Sequence, residues 1–180
     1  MKKLLLLLLT LTLVFSFAAC GSKPSGAEPS GSEPTETDND KQSENLEGSL
    51  EDILSKIYDT AEVDDNFKAY IKEGLLVNEI NAENCAYHLG KEDIEFDEAI
   101  ASVPQMSTSA YELDLVRVKE GADIEKIKAE IKQNVDPMKW VCVGVDEENV
   151  IVDNIGDVII VIMSNENAKA LHDAFLALKG

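Results

Sequence analysis

The stretch Val150-Ile151-Val152-Asp153-Asn154-Ile155-Gly156-Asp157-Val158-Ile159-Ile160-Val161-Ile162-Met163 decides the fold. Its second half, Val158 to Met163, is apolar at every position and β-branched at five of six. A strand that is apolar on both faces belongs in the middle of a sheet rather than at its edge. Val150 to Asp153 precedes it as a partner strand. Asn154-Ile155-Gly156 suits a three-residue hairpin loop with Gly156 at positive φ. Working upstream, Lys139 to Val145 reads as the first strand of the same meander, with Asp146-Glu147-Glu148-Asn149 as a four-residue link. Downstream, Asn165 is placed to cap a terminal helix that buries Ala168, Leu171, Phe175 and Leu178.

Helical spacing governs the rest of the folded part. Ser49 stands as an N-cap before Leu50, Ile53, Leu54, Ile57, Tyr58 and Ala61, which share one face. A second helix is expected from Asp65 to Glu73, burying Phe67, Tyr70 and Ile71 and stopping at Gly74. A third, Asp123 to Gln133, sets Ile124, Ile127 and Ile131 inward with its charges outward. Leu75 to Ile80 and Cys85 to Leu89 read as short strands, and Tyr111 to Val118 as a longer one. Ile94 to Val103 fits either an irregular strand or a helical turn. The sum is an α+β, two-layer sandwich: a mixed, mostly antiparallel sheet with helices packed on it.

The N-terminal end has a different character. Lys2 and Lys3 precede an apolar run from Leu4 to Ala19, a secretory signal pattern. The run is shorter than the ~20 apolar residues that span a bilayer, which ranks a retained transmembrane helix behind cleavage. Phe17-Ala18-Ala19-Cys20-Gly21 resembles the bacterial lipobox, with Phe17 where that motif usually carries Leu. The resemblance implies that residues 1–19 are removed and that Cys20 becomes the acylated N-terminus, anchored in the bilayer on the extracytoplasmic face of the cell membrane. An ordinary cleavage site ahead of an unmodified Cys20 is the alternative.

Residues 20–48 are Ser, Glu, Pro, Thr, Asp and Asn with almost no apolar content, the composition of a disordered tether. As a flexible coil it spans roughly 25–30 Å. Residues 49–180 then form a single domain with room for a core. The chain carries a formal charge of −19, and loss of Lys2 and Lys3 deepens it. Such a polyanion repels nucleic acid and anionic headgroups, which excludes nucleic acid as a partner.

A further resemblance rests on His88-Leu89-Gly90, on Pro104-Gln105-Met106-Ser107, on Glu112 to Lys119, on Asp136-Pro137 with Lys139-Trp140, and on Gly156-Asp157-Val158. Together these are similar to a domain-of-unknown-function family found in lipoproteins of Gram-positive bacteria. The likeness covers about residues 85–163. It implies one compact domain on a lipid anchor, and it brings no catalytic residues with it.

Candidate chemistry is sparse. Cys85 and Cys142 can pair as a disulfide in an oxidising compartment; buried free thiols are the alternative. Cys85 and His88 have ligand-like spacing, but in a strand residues three apart face opposite ways, so no metal site is expected. His172 sits at the edge of an apolar stripe. Ser107, Thr108 and Ser109 supply hydroxyls without a nucleophile elbow around them. Glu92, Asp93, Glu95, Asp97 and Glu98 form one acidic cluster, and Asp146, Glu147, Glu148 and Asp153 another; both read as solvated faces. Trp140 reads as core, with Gly144 making room for it.

No cofactor and no catalysis are expected. The leading expectation is a membrane-anchored interaction or binding module with an unidentified protein or small-molecule partner. A small-ligand- or cation-binding accessory lipoprotein is the alternative, and a hydrolase with an unrecognised site is the third.

Overall fold

Gly156 and Asp157 alone make the turn between the last two strands, because Ile155 still pairs with Val158 across it. The loop is therefore two residues, one fewer than expected, and Gly156 does take a positive φ of 54°. The structure, a computed structural model, describes residues 45–179. The expected signal segment, the expected acylation site Cys20 and most of the expected tether lie outside the described residues.

Among the described residues five strands run in chain order: β1 Leu75–Glu79, β2 Phe96–Pro104, β3 Glu112–Val118, β4 Val150–Ile155 and β5 Val158–Met163. They form one sheet ordered β1-β2-β3-β5-β4, antiparallel at every pairing. The all-apolar strand is β5, interior and buried along its whole length. The α+β class follows.

Helices α1 Leu50–Thr60, α2 Asp65–Glu73, α3 Cys85–Leu89, α4 Ile124–Asn134 and α5 Ala168–Leu176 accompany the sheet. On one face, α1 and α5 close over Leu113, Leu115, Ile160 and Ile162. On the other, α3, α4 and the irregular segment 136–145 cover Ala101, Val116, Ile159, Val161 and Met163. Ser49 caps α1 through the Asp52 N–H, as its sequence predicts. In α2, Phe67 and Tyr70 are only half-buried, their rings set against Tyr111 at 5.5 and 6.3 Å.

Three expectations are corrected. Cys85–Leu89 is helix, not strand. Asn81 and Asn84 tie up the preceding turn, Asn81 C=O accepts the Cys85 N–H, and Gly90 ends the helix at φ 77°. Lys139–Val145 is not a strand either. The Asp136 side chain accepts the Met138 N–H, the Pro137 carbonyl accepts the Val145 N–H, and Cys142 sits at φ 61°. That closed path leaves β4 at the sheet edge. Finally, Asn167 rather than Asn165 precedes α5; Asn165 instead accepts from Asp146 N–H and donates to the Gly144 carbonyl.

The fixed part of the chain also begins before Ser49. Arg117 donates to the carbonyls of Leu46 and Gly48, and Asp157 N–H donates to Asn45.

Candidate functional site

Alternation along β3 puts Glu112 and Asp114 on one face and Leu113 and Leu115 on the other. On an exposed sheet face such an acid pair would be solvated. Here β3 is the middle strand and its acidic face is roofed by α3 and the 136–145 segment. Glu112 and Asp114 are both 0% exposed. Cross-strand neighbours of Asp114 are Ala101 and Val161, and Met163 stands opposite Glu112.

Helix α3 brings His88 down onto this pair. Because Cys85–Leu89 is helical, His88, Cys85 and Leu89 turn inward together. His88 Nδ1 lies 2.9 Å from Glu112 Oε1. Gly90 allows the close approach behind it, since a Cβ there would stand 2.2 Å from the Asn134 backbone.

Lys139 enters from the other side, its side chain 5% exposed. Its Nζ donates to Glu112 Oε1 at 2.7 Å and to the Tyr87 carbonyl at 3.0 Å. The ammonium also lies 4.5 Å from the centre of the Tyr87 ring and 5.6 Å from that of Trp140. Trp140 is buried beside it, as expected, but Gly144 makes room for Met138 rather than for the indole.

The polar accounting of this cluster is incomplete. Glu112 Oε2 and both carboxylate oxygens of Asp114 are shut off from solvent and have no hydrogen-bond partner among the described residues. Burial pushes the Asp114 carboxyl well above its usual range; the Glu112 carboxylate pushes it further, and Lys139 pulls against both. Ligand atoms of His88, Glu112 and Asp114 all lie within 4.8 Å of one another.

The other sequence candidates stay apart from this cluster. Cys85 and Cys142 are free thiols, one buried and one exposed, so the disulfide is not formed. Burial raises the Cys85 thiol. His172 Nε2 lies 2.8 Å from Asp153 Oδ2, a half-exposed pair that ties α5 to β4. Burial raises the Asp153 carboxyl, but His172, the Asn154 N–H and Lys128 outweigh it and leave it lowered.

Thr108 and Ser109 line a cleft of about 470 Å³ with Tyr70, Tyr111 and Asn167. There Ser109 Oγ accepts from the Tyr70 hydroxyl, and neither histidine lines the cleft. Glu92, Asp93, Glu95, Asp97 and Glu98 are exposed, as are Asp146, Glu147 and Glu148.

Sequence reasoning missed Glu112, Asp114 and Lys139. The available signal was β5: a strand that is apolar on both faces means both faces of the sheet are covered, so charges on its neighbour must be buried. Among the described residues no helix is long and apolar enough to cross a membrane. No protein-family model, no curated protein and no solved structure matches the chain.

Proposed function

We propose that this chain is an extracytoplasmic lipoprotein, acylated at Cys20, whose folded domain is a binding module rather than a catalyst. The likeness to lipoprotein domains of Gram-positive bacteria belongs to the same proposal. One observation supports the binding role. The groups with the most chemical capacity, His88, Glu112, Asp114 and Lys139, are gathered beneath the surface, where they can hold charge but cannot meet a bulky substrate.

The anchor is tested by the mass of the protein extracted from membranes. The expected product starts at Cys20 and carries a diacylglyceryl group, and Cys20→Ala loses both the lipid and membrane retention. A Cys20→Ala variant with unchanged lipid mass would refute it. The binding role is tested by crosslinking the lipoprotein on native membranes, alongside calorimetry with small ligands.

A second reading, docking of a protein partner, draws on the edge strand β1. Its Leu76 and Val77 are about half exposed, and exposed sheet edges accept added strands.

A further inference from the structure

We propose that His88, Glu112 and Asp114 form a buried site for a divalent first-row transition-metal ion, zinc being the probe, and that Lys139 withdraws from Glu112 when the ion enters. This names a ligand class for the domain read above as a binding module, and it is independent of the anchor.

Three observations converge. One is the gathering of an imidazole and two carboxylates within 4.8 Å. Protein ligands sit about 2.0–2.2 Å from a tetrahedral zinc, so two on one ion stand about 3.3–3.6 Å apart. A pair at the 4.8 Å limit therefore closes by about 1.2–1.5 Å to share an ion, a movement within reach of side-chain rotation.

The second is the set of unpartnered atoms. Glu112 Oε2, Asp114 Oδ1 and Asp114 Oδ2 are buried oxygens with no hydrogen-bond partner among the described residues, and the proton that burial favours on Asp114 is the one an entering cation displaces. Native interiors seldom leave three such oxygens side by side, and a cation is the ligand that would use them together. A nitrogen among the donors favours zinc, iron or another transition metal over calcium and magnesium, which prefer all-oxygen shells.

The third is Lys139. One ammonium faces two acidic side chains and, of the two, touches only Glu112. A divalent ion would balance both acids, and like charges cannot share so small a buried space. The 136–145 segment is held by its own hydrogen bonds, so Lys139 withdraws through its long, flexible side chain rather than with its backbone. Glu112 and Asp114, two residues apart on the middle strand, stay fixed. Trp140, adjacent to Lys139 and within 5.6 Å of its ammonium, is placed to report the movement.

The test is calorimetric titration of zinc chloride into the metal-stripped full chain, with tryptophan fluorescence followed in parallel. One zinc per chain is expected, with a change in Trp140 emission that saturates at the same ratio. Asp114→Asn and His88→Gln should each weaken binding at least about tenfold. His172→Gln, at the separate surface pair, should leave it unchanged. Lys139→Met should bind zinc several-fold more tightly than the parent.

Circular dichroism on each variant separates lost binding from lost folding. Asn at 114 keeps the shape of the carboxyl, so that variant is expected to fold. Absence of stoichiometric zinc binding by the natively folded parent overturns the proposal. So does unchanged binding in folded Asp114→Asn, or weakened binding in folded Lys139→Met. None of these results would bear on the lipid mass at Cys20, so this proposal and the anchor fail separately.

Discussion

Lys139 Nζ rests 2.7 Å from Glu112 Oε1 in a region that water does not reach, with the lysine side chain 5% exposed and the glutamate 0%. In such a place the pair matters less for its own attraction than for what either charge would cost alone.

Removing one partner should therefore be far worse than removing both. In metal-free buffer, Lys139→Met is expected to lower unfolding stability by about 3–5 kcal/mol, and Lys139→Met with Glu112→Gln by much less. Urea denaturation of the two single variants and the double variant measures the coupling; additive losses would contradict it.

A second buried network answers to alkaline pH. Tyr58 donates to Ser102 and shares a hydrogen bond with Tyr111. Burial pushes the Tyr58 phenol from 10.0 up to about 12, against the pull of those hydrogen bonds. Tyr111, fully enclosed, is also raised, burial being the largest cause. The folded state thus holds these protons more tightly than the unfolded chain. The Tyr58 contribution is complete below pH 10 and is lost as pH climbs through about 12. Denaturation between pH 8 and pH 12 should show this fall, and Tyr58→Phe should flatten it.

Gly90 combines a φ of 77° with an approach to the Asn134 backbone that leaves no space for a Cβ. Gly90→Ala is expected to cost about 2–4 kcal/mol and to disturb the His88–Glu112 contact. A thermal melt reads the first effect. A shift in the His88 imidazole resonances reads the second.

The two described thiols should react at very different rates. Cys142 is exposed and Cys85 is buried with its thiol pushed up, and the thiolate is the reactive form. Alkylation of native protein, mapped by peptide mass, should label Cys142 quickly and Cys85 only on unfolding. Recovery of a linked Cys85–Cys142 peptide would contradict the free-thiol state.

Much of the fold was legible because it is carried by local periodicity. The six apolar residues of β5 announced an interior strand, and Ser49, Asp64 and Asp123 stand where α1, α2 and α4 begin. What failed was local ambiguity resolved by distant partners. Cys85 to Leu89 is too short for periodicity to tell helix from strand, and the asparagines before it decided. Lys139 to Val145 alternates like a strand but finds no neighbour, because Lys139 turns inward to a glutamate 27 residues away in sequence.

The candidate site was illegible for a related reason. Glu112 and Asp114 sit in an alternating pattern that normally marks a wet sheet face. Only the covering by α3 and segment 136–145 makes them buried, and that covering is a tertiary fact.

Arg117 is the only arginine in the chain. From the end of the middle strand it grips the backbone at Leu46 and Gly48 while bracing against Glu98 and Asp157. Tension drawn along the N-terminal stretch therefore reaches the fold at the centre of the sheet before it reaches the first turn of α1. A pull there loads antiparallel strands through a guanidinium knot rather than peeling a helix from its end. Under such a pull the core would stay closed for as long as that knot holds.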